Sequence, residues 1–233
     1  MCGRFVQFSS LRTLENHFDF QTSPSDITAN YNVAPTQTVL AVVQCEECRL
    51  EHLHWGLVPS WAKNLSGASR LINARAETVA TKPSFRAAFK RRRCLIPADG
   101  FYEWHGEKGH KQPWYITVPA DQPFAFAGLW EMWRSKDPEA EQKEYRSCTI
   151  ITTEASESVQ DIHHRMPVIL QPRVYARWLD PENQNIQDLE SILQTECITQ
   201  LKSHPVSKQV NRVQNNSPSN IKPTNRPNDI TVS

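Results

Sequence analysis

The chain opens Met1-Cys2-Gly3-Arg4. Methionine aminopeptidases remove an initiator methionine when the next side chain is small, and cysteine is small enough. Removal of Met1 is therefore the expectation, and it leaves an α-amine and a thiol on one residue. Such a 1,2-aminothiol condenses with an aldehyde through nitrogen and then closes a thiazolidine ring through sulfur. An internal cysteine cannot do this, because its nitrogen is locked in an amide. Cys2 thus points to an aldehyde-bearing partner or to an N-terminal-nucleophile hydrolase. The plainer alternative is a thiol used for packing, since reactive cysteines need an accessible, electropositive setting.

Other residues also have side chains suited to chemistry. Glu103 stands between Tyr102 and Trp104. If buried there, the carboxylate must be paired or functional, because desolvating a lone charge is costly; on the open face of a strand it is ordinary. His163 and His164 are neighbours, and in an extended segment their side chains point opposite ways, so that one alone faces a site. Asn73 offers one acceptor and two donors, although asparagine is also a common turn residue. Cys45, Cys48, His52 and His54 have the elements of a Cys₂His₂ zinc site. Their spacing is too tight for a zinc finger, so a plain surface hairpin is expected, and no metal or cofactor. The run Lys90-Arg91-Arg92-Arg93 reads as a solvated face.

The elements that must position these groups follow from pattern. At 233 residues the chain can bury a substantial core. Residues 4–8, 38–44, 49–55, 93–97, 100–104, 113–118, 124–129, 145–152 and 167–170 read as strands. Gly106-Glu107-Lys108-Gly109 is turn chemistry. Ser9 or Ser10 caps a short helix with Leu11, Leu14 and Phe18 on one face. Further helices are expected over 83–92, with Pro83 in the first turn, and over 172–179 and 186–193. Strands and helices do not alternate regularly, which argues against a doubly wound parallel sheet. The expected class is α+β with mainly antiparallel sheet: one domain over 1–222, then a disordered tail over 223–233.

No apolar run is long enough to span a membrane and no signal peptide is evident. The expected location is the cytoplasm, nucleoid-associated in a bacterium, with the six cysteines reduced. A net charge of +1 argues against coating nucleic acid by bulk electrostatics but leaves room for a local basic groove.

Six segments taken in order carry a resemblance. They are Cys2-Gly3-Arg4-Phe5, Tyr31-Asn32-Val33-Ala34-Pro35-Thr36, Asn73-Ala74-Arg75-Ala76-Glu77-Thr78, Asp99-Gly100-Phe101-Tyr102-Glu103-Trp104, Ile162-His163-His164-Arg165-Met166-Pro167 and His204-Pro205-Val206-Ser207. The set resembles the SOS-response-associated peptidase (SRAP) family of abasic-site processing proteins, from Cys2 to about Pro223. The resemblance implies a compact α+β domain with a barrel-like core. It also implies binding of single-stranded DNA and a thiazolidine crosslink between Cys2 and the open-chain aldehyde of an abasic site, which shields the lesion. By the same resemblance Glu103 is the acid/base, His163 opens the sugar ring, and Asn73 orients the Cys2 amine. Arg4, Arg75 and Arg86 are implied phosphate contacts, Trp61 stacks on a base, and Pro35 shapes the pocket under Cys2.

The partner implied is single-stranded DNA bearing abasic sites, with fork or strand-junction DNA as a variant, and the protein is expected to be a monomer that binds no membrane. Two other classes stay open. One is a cysteine peptidase with Cys2 as nucleophile and His163 as base, including self-removal of Met1. The other is a non-catalytic single-strand-binding module.

Overall fold

Residues 39–43, Val-Leu-Ala-Val-Val, are apolar without interruption because their strand is buried on both faces. Val39, Ala41 and Val43 enter one core cluster, and Leu40 and Val42 enter another. The structure, a computed structural model, describes residues 2–107, 109–137, 139 and 142–224. Its strands are β1 Phe5–Gln7, β2 Asn30–Val33, β3 Thr38–Gln44, β4 Cys48–Trp55, β5 Asn73–Arg75, β6 Arg93–Ala98, β7 Gly100–His105, β8 Gln112–Thr117, β9 Phe124–Arg134, β10 Glu144–Glu154, β11 Arg165–Pro167, β12 Ile169–Leu170 and β13 Lys202–Pro205.

β10, β4, β3, β6 and β9 form a closed barrel, since β9 pairs with both β6 and β10. The β10–β4 joint is parallel and the others are antiparallel. Closure needs close approach at Gly128, where an added Cβ would lie 2.7 Å from Cys94 Sγ. Past its pairing with β9, β10 leaves the barrel and continues between β5 and β11. That extension matters for the site, because it carries the Asn73 motif on one side and the Arg165 motif on the other. A second sheet, ordered β13-β8-β7-β1-β2, packs on the barrel. Phe5 meets Trp55 and Phe126 edge-on, with ring centroids 5.0 and 5.6 Å apart.

Helices cover the other side of the barrel strands. They are α1 Leu11–Glu15, α2 Arg86–Arg91, α3 Tyr175–Leu179 and α4 Ile186–Thr195. Leu14, Phe89, Trp178, Leu189 and Ile192 fill the space beneath them. Ser10 Oγ caps α1 by accepting the Thr13 N–H at 3.2 Å. The α+β class with a barrel-like core and short flanking helices therefore stands. All six cysteines are free thiols. Among the described residues no helix is long and apolar enough to cross a membrane.

Local differences from expectation have local causes. α2 starts at Arg86, and Pro83 lies in a preceding turn in which the Lys82 carbonyl accepts from both Phe85 and Arg86. The stretch 167–170 is split, because Pro167 pairs with β10 while Ile169 pairs with β9. Helix 172–179 begins as a 3-10 turn. The basic run is not a solvated face throughout. Arg93 is buried and donates to the carbonyls of Phe89, Lys90 and Trp178 at 2.8, 2.6 and 2.5 Å, closing the C-terminal ends of α2 and α3. Arg92 pairs with the buried Glu131 at 2.8 Å. The glycines of the β7–β8 turn take positive φ, 110° at Gly106 and 94° at Gly109. Lys108 in that turn, Met1, and residues 225–233 of the expected tail lie outside the described residues.

Candidate active site

Cys2 precedes β1 and is 0 % exposed, lodged in the cluster that holds Phe5, Val33 and Phe101. β1 lies antiparallel to β7, with Phe5 opposite Phe101 and the Tyr102 N–H bonded to the Arg4 carbonyl. This register draws Cys2 toward Glu103. Side chains alternate along β7: Phe101 enters the cluster of Cys2, and Tyr102 and Trp104 enter a smaller cluster on the opposite face. Glu103 therefore turns inward and is 5 % exposed, so the open-face alternative does not hold.

Asn73 is not a turn residue: it opens β5, a parallel strand placed by Ile150 of β10. Its Nδ2 donates to the Cys2 carbonyl at 2.7 Å. Its Oδ1 is buried with no hydrogen-bond partner among the described residues. It is an unsatisfied acceptor on the amide that already holds the Cys2 carbonyl, and an orphan of this kind costs free energy unless a ligand or a mobile group satisfies it.

His163 and His164 are not in extended backbone. The His163 N–H bonds to the Val159 carbonyl in a tight turn before β11, and the two imidazoles stack with centroids 4.4 Å apart. The expectation that they point opposite ways fails for that reason. His163 Nδ1 lies 2.9 Å from the Arg165 backbone nitrogen and 3.1 Å from the Arg165 carbonyl oxygen, so Arg165 holds the ring in place.

Electrostatics tie these groups together. Burial pushes the Glu103 carboxyl up to about 7, against the pull of the positive amino terminus and of Lys111. The Cys2 thiol is pushed far above the ordinary thiol range by burial and then by Glu103. His163 is held below its ordinary value by burial, with the amino terminus and Lys111 adding to the effect. Both Glu103 and His163 sense the same two cations. The Cys2 neighbourhood, β5, β7 and the β10–β11 turn thus deliver Cys2, Asn73, Glu103 and His163 to one place.

The implied DNA contacts separate. Arg75 is exposed and lines an open groove of about 720 Å³ with Gln160, Asp161, His164 and Arg165, beside His163. Trp61 is 63 % exposed in a turn anchored by the Trp133 indole, which donates to the Ala62 carbonyl at 2.8 Å. Pro35 is half-buried in the turn between β2 and β3, where Thr36 bonds to the Trp55 carbonyl. Arg86 is exposed on α2, whose Ala88 and Phe89 pack in the helix-covered cluster rather than in that of Cys2. Arg4 is half-buried and committed inside the protein, Nη1 donating to Asn32 Oδ1 at 2.6 Å and to the Val210 carbonyl at 2.8 Å.

The β3–β4 hairpin forms, and its cysteine and histidine side chains do not converge. Cys48 is buried, His52 approaches Asp26 at 3.7 Å, and His54 stacks on Tyr145 at 4.4 Å. Among the described residues no group of three or more His, Cys, Asp or Glu side chains is gathered for a metal.

Sequence reasoning passes over three groups. Arg165 forks onto Glu77 at 2.6 and 3.0 Å and reaches the Thr152 carbonyl at 2.7 Å, clamping the segment after β5 to β11. Both residues stand in motifs of the resemblance, but their pairing depends on β10 running between those strands. Lys111 acts on Glu103 and His163 only because the β7–β8 hairpin turns it back. The third group is the Asn32–Arg4 pair.

Residues 1–213 match the model of the family described as SOS response associated peptidase (SRAP). The chain is 42 % identical over 222 residues to abasic site processing protein YoqW of Bacillus subtilis, covering 94 % of this chain and 97 % of that protein. It is 32 % identical over 232 residues to abasic site processing protein YedK of Escherichia coli, covering 96 % and 100 %. A crystal structure of a Bacteroides thetaiotaomicron protein superposes with a TM-score of 0.82 at 25 % identity, covering 96 % of this chain and all of that one.

Proposed function

From the premise that this chain belongs to the SOS response associated peptidase family, we propose that it processes abasic sites in DNA by capturing them covalently on Cys2. The observation that carries the reading is the convergence of Cys2, Asn73, buried Glu103 and His163 from four separated segments. The names of the relatives point the same way.

Removal of Met1 moves the α-ammonium onto Cys2, where the orphaned Asn73 Oδ1 can accept from it. The imidazolium form of His163 donates a ring N–H proton to the ring oxygen of the abasic deoxyribose while the C1′ hydroxyl loses its proton to water, which breaks the ring C–O bond, exposes the C1′ aldehyde and leaves His163 neutral. The neutral Cys2 amine attacks C1′, and loss of water gives an imine. The thiol, held as S–H by its buried setting, gives its proton to the Glu103 carboxylate as sulfur bonds to C1′, and Glu103 returns that proton to the former imine nitrogen, which becomes the ring N–H. The products are one thiazolidine and one water. A carboxyl near 7 can both take and return protons at neutral pH. Ring closure is intramolecular, with effective molarities that reach about 10⁵ M. It should therefore outrun the β-elimination that an imine at C1′ invites, and the strand stays intact. The groove beside Arg75 and the exposed Trp61 are the surfaces we assign to a single strand.

The peptidase reading needs a Cys2 thiolate, which burial and the Glu103 carboxylate oppose. A passive binding module would not need an inward acid or an orphaned amide oxygen. The test is incubation with single-stranded oligonucleotides, abasic and undamaged, followed by denaturing electrophoresis. A durable shifted band with the abasic strand alone is expected. Equal retention of both strands without covalent product favours the binding module, and cleavage of peptide substrates without DNA adduct favours the hydrolase.

A further inference from the structure

The residues after β13 run back across the sheet that carries Glu103. The family match ends at 213, yet the fold does not. A 3-10 turn over Lys208–Asn211 and another over Pro218–Ile221 form a strap against β2 and β8. Asn32 is its anchor. That side chain is 1 % exposed. Its Nδ2 donates to the carbonyls of Val210, Arg212 and Asn215 at 3.2, 3.0 and 2.9 Å, and its Oδ1 accepts from Arg4. Arg4 Nη1 also reaches Val210 directly. The strap continues to both neighbours of Glu103: the Trp104 indole donates to Asn211 Oδ1 at 2.8 Å, and Tyr102 packs with Val206 and Val210.

We infer that the strap over 206–221 sets the position of the reactive amino terminus, with Asn32 and Arg4 as positioning residues. Arg4 lies two residues from Cys2, and its guanidinium is fixed by Asn32 Oδ1 and the Val210 carbonyl. Strap and β7 face together fix the distance between Cys2 and Glu103. The inference rests on the capture reading for its rate test, and on geometry alone for its exchange test.

The experiment compares Asn32→Asp, Arg4→Met and Trp104→Phe with the unaltered full-length chain. Asn32→Asp keeps an acceptor for Arg4 but turns an oxygen on three carbonyls. Trp104→Phe removes one strap bond and keeps the core, so it reports even where the first variant fails to fold. Single-turnover crosslinking to an abasic strand at saturation should slow roughly 10-fold or more for Asn32→Asp and Arg4→Met, and less for Trp104→Phe, since small misplacements near reacting atoms cost this much. Affinity for an undamaged strand, and its salt dependence, should stay as in the parent chain. A salt slope lowered by about one in Arg4→Met with its saturating rate intact would make Arg4 a phosphate contact instead. Should the parent chain form no crosslink, the capture reading fails on its own. Amide exchange at residues 4–6 then decides the strap, and unchanged protection in Trp104→Phe and Asn32→Asp overturns it.

Discussion

Two constellations of cysteine and polar residues can be compared in this molecule, and they behave oppositely. Cys45, Cys48, His52 and His54 lie within ten residues of one another and scatter. Cys48, His52 and His54 share one face of β4, and different neighbours along it take each of them: Cys48 is buried in the core, His52 approaches Asp26 and His54 stacks on Tyr145. Cys2, Asn73, Glu103 and His163 span most of the chain and converge. Sequence proximity sets which residues can share a strand, whereas sheet register sets which can share a site. The converging set also bears the cost of its position: a carboxyl held near 7, a protonated thiol and a bare amide oxygen. Strain of this kind concentrates where function does.

That comparison can be broken most severely at Cys2. Cys2→Ser keeps the amine but offers an alcohol, which closes only a poor oxazolidine. Durable adduct should vanish, with residual strand cleavage through the imine, read on a denaturing gel. Retention of a durable band would remove the sulfur from the mechanism. Glu103→Gln should slow single-turnover crosslinking by roughly 10²–10⁴, the usual worth of a positioned acid/base, and flatten the pH–rate profile near pH 7. A profile still bending there would place the titration elsewhere. Asn73→Ala removes both the hydrogen bond to the Cys2 carbonyl and the acceptor. It should cost about 10-fold in rate, since deleting a polar partner inside a protein costs about 1–2 kcal/mol.

Stability offers a sharper view of Glu103. Its folded value, about 7, lies above the ordinary 4.5. The folded state therefore holds its proton more tightly than the unfolded state, and stability falls as pH rises from 4.5 to 7. At about 1.4 kcal/mol per pH unit this amounts to about 3 kcal/mol by pH 8. Glu103→Gln should melt higher than the parent chain at pH 8 and gain little at pH 4, as read by thermal unfolding. An equal gain at both would mean the carboxyl is not perturbed. The smallest effect belongs to the hairpin: Cys45→Ser should change stability by less than about 0.5 kcal/mol and leave crosslinking untouched.

How much of this is legible in the residues depends on where each element gets its instructions. β3, β4, β6 and β7 announce themselves through apolar runs and alternation, because burial writes directly into residue type. β2, β5 and β13 do not: Asn-Tyr-Asn-Val, Asn-Ala-Arg and Lys-Ser-His-Pro become strands only because a neighbour offers its edge. The same limit hides the stacked histidines, whose turn depends on the Val159 carbonyl, and the buried Arg93, which beyond its local partners in α2 needs the Trp178 carbonyl of α3. The members of the site are readable through family motifs around Cys2, Asn73, Glu103 and His163. Their distances, and the internal commitment of Arg4, are not, because those are properties of register and of a strap about 200 residues away in the chain.

The most direct measurement joins intact mass to thiol counting. After reaction with an abasic oligonucleotide, the purified adduct is denatured and alkylated beside the free chain. The account predicts an adduct lacking Met1, heavier by one strand, that takes up one fewer alkyl group than the free chain. An adduct that retains Met1, or that takes up as many alkyl groups as the free chain, contradicts it, because Cys2 would then not have given up both its nitrogen and its sulfur.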